Sequence, residues 1–440
     1  MLLNPVVLSV IVMTVLCLLK LNVILALILA ALTGGLISGM NLTETMTLLI
    51  DGMGGNAETA LSYILLGTLA AAINKTGVAN LLGKSISNII NDRRSLLVLL
   101  IAIIACLSQN LIPVHIAFIP ILIPPLIGLM NKLNIDRRAV ACALTFGLKA
   151  PYVMLPVGFG LIFHNIIRDN LIANGINVVT GMVWKSMLLP GIGMTIGLLI
   201  AIFITYRKPR EYKIVDNVFE NKVANDLEDE KQSDNLCRKQ IAGLTGAIVA
   251  FVIQVITESL PLGAIAGLII MLVFGAFKWK DIDNLMGDGI SMMGFIAFVM
   301  LVASGYGAVL RETGGVETLV EAATGLMGGS KFIGAIIMLF IGLIVTMGIG
   351  TSFGTIPIIA TIYVPLASAL GFSPAAIIAL VGTAGALGDA GSPASDSTLG
   401  PTSGLNVDGQ HDHIWDTCVP TFLHFNISLI IFGTIAALVL

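Results

Sequence analysis

Residues 382–401 read GTAGALGDAGSPASDSTLGP, a polar, turn-rich run with apolar sequence on both sides. On a soluble surface such a run would be ordinary. Here hydropathy and spacing require a membrane crossing, so the run predicts a helix broken mid-bilayer by Gly388, Gly391 and Pro393. Backbone without regular structure is tolerated at that depth only where protein surrounds it or where it lines a wet cavity. An aspartate at the bilayer centre costs about 2.5 to 3.5 kcal/mol on insertion scales, so Asp389 and Asp396 are expected to serve a function there.

The membrane setting follows from composition. The chain has 440 residues, 56% hydrophobic and only 11% charged, with a mean hydropathy of +0.98. A soluble domain runs near 25% charged and could not hide this much apolar surface. Apolar segments of roughly 17 to 25 residues between short polar turns predict spanning helices, not the short alternating strands of a barrel. The net charge of −3 gives no reason to expect a nucleic-acid partner. No cleavable signal peptide is expected, because the apolar N-terminal run lacks a basic flank and leads straight into another. The cysteines Cys17, Cys106, Cys142, Cys237 and Cys418 are scattered without ligand spacing and read as packing residues.

Working outward from the broken run, an internal duplication emerges. Asp51-Gly52 and Lys75-Thr76-Gly77 recur 237 residues later as Asp288-Gly289 and Glu312-Thr313-Gly314. Ile112-Pro113 maps to Ile356-Pro357, and Thr145-x-Gly147 to Thr383-x-Gly385. The predicted fold class is therefore an all-α polytopic membrane protein of two inverted repeats, 1–206 and 241–440, joined by a cytoplasmic linker loop at 207–240. Each repeat is expected to hold five crossings, a re-entrant hairpin and a broken helix, and an odd number of crossings inverts the second half. The first hairpin has arms near 95–107 and 114–130 meeting at Ser108 to Pro113; the second has arms near 332–347 and 358–370 meeting at Gly350 to Thr355. The first repeat is expected to break near Lys149-Ala150-Pro151.

Charge tests that topology. Eighteen of the 23 basic residues, from Lys20 to Lys280, fall on one face. Only Arg168, Lys185, Arg311 and Lys331 fall on the other, and Lys149 is left inside. The rich face should be cytoplasmic, which places both termini on the outer side of a bacterial plasma (inner) membrane.

Inverted repeats bring equivalent breaks together near the midplane. Asp389, Asp396, Ser392, Ser395, Ser397 and Thr398 supply the oxygen ligands that a small hard cation prefers, and form the candidate cation or proton site. Helix caps and interhelical hydrogen bonds are the competing explanation. Lys149 should pair with one of the aspartates or with a substrate carboxylate, since a lone ammonium is expensive there. The tips Ser108-Gln109-Asn110 and Thr351, Ser352 and Thr355 offer neutral donors and acceptors for a small polar solute, though turn-formers could simply close the hairpins. His115 is a candidate proton relay or an ordinary packing histidine. His411-Asp412-His413 has ligand-type residues at adjacent spacing only, a poor metal signature. Asp51 and Asp288 read as N-caps just before helices.

Gly388-Asp389-x-x-Ser392-Pro393-x-Ser395-Asp396-x-Thr398, with Gly350-Thr351-Ser352-x-Gly354-Thr355, resembles the Na+/H+ antiporter family of the NhaC type, within the wider ion transporter superfamily. The resemblance implies paired re-entrant hairpins, an elevator-like transport domain sliding on a scaffold, often a homodimer, and a cation or proton site at Asp389 and Asp396. Two features depart from relatives. The tips differ from the Ser-Asn-Thr of sodium/dicarboxylate carriers, and Lys149 has no counterpart in the antiporter motif.

The expected function is cation-coupled secondary transport of a small organic solute such as an amino acid, with Na+ or H+ as coupling ion, no cofactor, and no enzymatic reaction. Na+/H+ exchange without an organic substrate is the alternative. An intramembrane aspartyl protease would need facing carboxylates, normally from separate helices, whereas Asp389 and Asp396 share one segment and Ala386 stands where its motif needs glycine. A channel is a further alternative.

Overall fold

The computed structural model describes residues 4–78, 94–110, 119–157, 159–213, 238–257, 259–316, 318–319, 328–349 and 351–440. It is helical throughout, with no strand among the described residues. The first half contains α1 (Pro5–Leu18), α2 (Val23–Ile37), α3 (Leu42–Gly52), α4 (Ala57–Lys75), α5 (Arg94–Asn110), α6 (Ile119–Lys132), α7 (Arg137–Met154), α8 (Phe159–Ala173) and α9 (Thr180–Ile200). The second contains α10 (Arg238–Thr257), α11 (Leu260–Val273), α12 (Ile282–Glu312), α13 (Lys331–Ile349), α14 (Ser352–Ala369), α15 (Pro374–Ala386), α16 (Asp396–Leu405) and α17 (Ile427–Val439). Wide π-type turns at His413–Cys418 and Phe422–Asn426 lead into α17. Side chains close the helix starts: Asn4 caps α1, Asp136 caps α7, and Asn41 with Glu44 forms a capping box on α3.

Packing sorts these helices into two bodies that each draw on both halves. In one, α4 lies along α12, α10 along α11, and α2 and α3 also pack on α12. In the other, α5 and α9 flank α7, α13 and α14 hold α15, and α16 sits between α6 and α7. The first body is drawn together by small residues, as membrane helices require where apolar burial gives no drive. Helices α4 and α12, which correspond under the 237-residue offset, run in opposite directions: Asn56 bonds the Met300 carbonyl, while farther along α4 Gly67 meets Gly289 and Met293.

Helices α13 and α14 form a hairpin. The Tyr363 hydroxyl donates to the Met338 carbonyl at 2.6 Å, and at the open end the Lys331 ammonium lies 5.6 Å from the Phe372 ring centre. Both arms therefore return to one end, with Thr351 at the tip. The turn is tighter than the sequence suggests, since α14 begins at Ser352, not near 358. Of the expected first tip, residues 108–110 continue α5, and 111–113 lie outside the described residues.

Two further expectations are corrected. The first-half break comes at 155–157, not at Lys149-Ala150-Pro151; α7 runs on through Pro151, and α7 and α8 meet at 47°. Pro156 is the breaker, because a residue before proline is pushed out of the α region and Leu155 is extended. Asp51 and Asp288 are not caps: each lies within a helix, α3 and α12 respectively.

At one end of the bundle, buried Arg137 ties the halves together. It donates to Asp408 at 2.6 and 2.5 Å, to the Leu405 carbonyl at 2.9 Å and to Asn131 at 2.9 Å, and lies 4.2 Å from the Tyr212 ring centre. Burial opposes ionisation of Asp408, but hydrogen bonds and charge from Arg137 outweigh it and hold the carboxyl below its usual range. The segment expected as a free linker is pinned at its start, where Arg210 bonds Asp416 at 2.7 Å and Lys213 bonds Gln410 at 2.7 Å.

The α4–α12 crossing generates a stability test. A Cβ on Gly289 would lie 2.3 Å from Thr68 Oγ1 and 2.5 Å from Thr68 N, whereas one on Gly287 meets nothing within 4 Å. Gly289→Ala should therefore lose about 1 to 3 kcal/mol through overpacking, read as a lower melting temperature in detergent, while Gly287→Ala melts no lower than the parent. Equal melting of the two variants would contradict the close crossing.

Candidate functional site

The segment between α15 and α16, residues 387–395, is unwound and buried. Gly388 and Gly391 take φ of +80° and +98°, where side chains are strained. A Cβ would also come within 2.6 Å of the Leu343 carbonyl at the first and 2.5 Å of Phe422 at the second. Glycine is thus required at both positions, and the break falls where the sequence places it.

Asp389 lies at the centre. Lys149 Nζ, arriving from α7, reaches Asp389 Oδ2 at 2.5 Å and Asp396 Oδ1 at 3.4 Å. Ser352, from the hairpin tip, donates to Asp389 Oδ2 at 2.6 Å, and Ser395 donates to Asp389 Oδ1. Three donors on one carboxylate offset much of the free energy lost on its dehydration. The Lys149 and Asp389 side chains are only 8% and 4% exposed, against 22% for Asp396. Asp396 also occupies the first turn of α16, where the helix dipole favours a negative charge. The two carboxylates share a lysine ammonium, an arrangement unlike the proton-sharing pair an aspartyl protease uses.

The remaining candidates divide. Thr398 donates to the Ser392 and Ser395 carbonyls at 2.5 and 2.9 Å, Ser397 to the Asp389 carbonyl at 3.1 Å, and the Ser392 hydroxyl accepts from Ala394 N at 3.3 Å. These groups shape the loop. Thr355 turns back to the Thr351 carbonyl at 2.8 Å, and Thr351 caps α14 by its backbone alone. His115 and the side chains of Ser108, Gln109 and Asn110 lie outside the described residues.

Sequence reasoning passed over four contributors. Tyr152, three residues after Lys149 and so on the same face of α7, bonds Ser352 at 2.9 Å and holds its ring 5.4 Å from the ammonium; that spacing was a usable signal. Asn426 grips the unwound backbone twice, accepting from Gly388 N at 2.8 Å and donating to the Ala390 carbonyl at 2.6 Å. Thr145 donates to the Ser397 carbonyl at 2.8 Å. His413, doubtful as a metal ligand, braces the loop by donating from Nε2 to the Pro393 carbonyl at 2.8 Å. Among the described residues no group of three or more His, Cys, Asp or Glu is placed to hold a metal ion.

Removing one partner of a buried ion pair strands the other. Asp389→Asn should therefore cost about 3 to 5 kcal/mol of stability, and adding Lys149→Gln should recover part of it, a coupling of at least about 1 kcal/mol. Thermal denaturation of the two single variants and the double variant measures this, and strictly additive losses would refute the pairing.

Comparison with known proteins adds the lineage. The profile of the Na+/H+ antiporter family matches residues 143–435. An uncharacterized membrane protein of Vibrio parahaemolyticus is 53% identical, covering 99% of this chain and all of the relative. The putative amino acid transporter YuiF of Bacillus subtilis is 49% identical with the same coverage. The Na+/H+ antiporter NhaC of Alkalihalophilus pseudofirmus is 29% identical over 42% of this chain and 40% of its own length. With two thirds of its length matched by one family profile, and with its buried aspartates inside that match, this chain belongs to the Na+/H+ antiporter family.

Proposed function

We propose that the protein is a cation-coupled secondary active transporter of a small organic solute, an amino acid or close analogue, driven by Na+ or H+. The observation that carries this reading is the Lys149 ammonium shared between Asp389 and Asp396 against unwound, buried backbone. One ammonium and two carboxylates leave the cluster with one uncompensated negative charge. Moving that charge past apolar surface is expensive, so the cluster must gain one positive charge before the body that carries it moves. A zwitterionic solute adds no net charge. A cation or proton is therefore required with it, and the two fluxes are coupled.

In this reading α5–α9 with α13–α17 slide against α1–α4 with α10–α12, an elevator-type alternation. Asp389 and Asp396 hold the cation or proton, while Lys149 and the tips, Ser352 among them, face the solute carboxylate. The Arg137 end lies in the cytoplasm of a bacterial cell and both termini lie outside, as the distribution of basic residues argues. The similarity to YuiF supports an amino-acid solute. The family profile supports a second reading, Na+/H+ exchange without organic solute, in which a cation on Asp389 displaces Lys149.

Reconstituted vesicles separate the two. Amino-acid uptake should rise with an imposed Na+ or H+ gradient and collapse without it, and Asp389→Asn should reduce it to background. Full Na+/H+ exchange with no amino acid present, together with no gradient-driven uptake of any of the twenty common amino acids, would replace the first reading with the second. Gradient-driven transport that survives Asp389→Asn would remove Asp389 from the coupling site.

A further inference from the structure

A small hard cation is held by oxygen lone pairs turned toward it, so the groups around Asp389 decide which ion it can take. Its carboxylate is surrounded by donors. Lys149, whose ammonium has no acceptor atom, stands 2.5 Å from Oδ2. Ser352 donates to the same oxygen at 2.6 Å, and Ser395 donates to Oδ1. A second donor lies behind each serine: Tyr152 Oη is 2.9 Å from the Ser352 oxygen, and Ser397 N donates to the Ser395 oxygen at 3.2 Å. Because the Ser352 proton is spent on Asp389, the Tyr152 hydroxyl is the donor of their pair. Backbone oxygens of the unwound segment are taken as well. The carbonyl of Asp389 accepts from Ser397, that of Ala390 from Asn426, that of Ser392 from Thr398 and that of Pro393 from His413.

We infer that the coupling ion is a proton and that Asp389 takes it on Oδ1. A proton needs one lone pair, and the serines beside it form a switch for its arrival. Ser395 Oγ lies 2.8 Å from Ser397 Oγ, whose own proton is given to the Asp389 carbonyl at 3.1 Å. When an O–H bond forms at Oδ1, the Ser395 hydroxyl turns: its oxygen accepts from Asp389 and its proton is donated to Ser397 Oγ. Lys149 stays with Asp396, 3.4 Å away, and the cluster is neutral. A Na+ at Oδ1 would gain only the Ser395 oxygen by that same turn, and would share its carboxylate with an ammonium that repels it. The inference rests on the transport reading above and fixes the coupling ion, which that reading leaves as Na+ or H+.

The test uses the full chain in sealed vesicles, with the twenty common L-amino acids as labelled probes. In choline buffer free of Na+, an inward H+ gradient should drive uptake. With an inward Na+ gradient, and a protonophore to abolish the H+ gradient, uptake should fall to background. Uptake that the Na+ gradient sustains under protonophore overturns the inference and leaves the transport reading intact. Should neither gradient drive uptake of any probe, that reading fails and the inference goes with it. A second measurement follows melting in detergent as Na+ replaces choline at constant ionic strength. The wild-type melting temperature should not change. Lys149→Gln exchanges the ammonium for an amide with an acceptor oxygen, and should gain a Na+-specific rise. A Na+-specific rise in the wild type, or none in a folded variant, overturns the exclusion of Na+. Should the variant not fold, the wild-type measurements decide alone.

Discussion

One ammonium shared by two carboxylates in an apolar interior governs this structure. None of the three charges could remain there alone. Lys149 comes from the first half of the chain and both aspartates from the second, so the pairing exists only when the halves interleave. The unwound segment, the hairpin tip and the position of α7 all follow from bringing these groups within hydrogen-bond reach.

The segment needs its own support, since its backbone has no helical partners. Asn426 imitates a neighbouring peptide by accepting from one unwound residue and donating to another. His413, Thr398 and Ser397 take up further groups, and the two left-handed glycines allow Leu343 and Phe422 to approach closely. Of the hydroxyls named as candidate cation ligands, Ser397 and Thr398 donate to backbone carbonyls in this structure and Ser392 accepts from Ala394 N. Only Ser395 and Ser352 spend their donors on the Asp389 carboxylate.

Much of this was legible in the sequence because membrane insertion makes polar residues conspicuous. Asp389, Asp396 and Lys149 stand out against apolar surroundings, and a buried ammonium calls for a carboxylate beside it. Contributors whose signal is ordinary were missed. A tyrosine or an asparagine in an apolar helix has many uses, so Tyr152 and Asn426 acquire meaning only from what lies opposite them. The misplaced break has a local cause: Pro151 and Pro156 both read as breakers, and choosing between them needed the extended conformation of Leu155. The caps assigned to Asp51 and Asp288 failed for two reasons: Asp51 lies at the end of α3, a short helix that hydropathy does not mark, and α12 begins farther toward its N-terminus than hydropathy indicates, which places Asp288 inside it.

The two halves contribute different chemistry to the cluster, and the difference matters for coupling. Had the first half contributed an aspartate in place of Lys149, the centre would hold only negative charge and would demand several cations at once. With a lysine supplied by the first half, the deficit falls to one unit. Under the transport reading a single Na+ or proton then neutralises the cluster. The geometry of the bodies gives that neutrality its consequence: α1, α4 and α12 meet α6, α13 and α16 across a boundary that passes beside the cluster, so any sliding carries the charge along apolar surface. A site placed wholly outside that boundary would have no reason to count its charges.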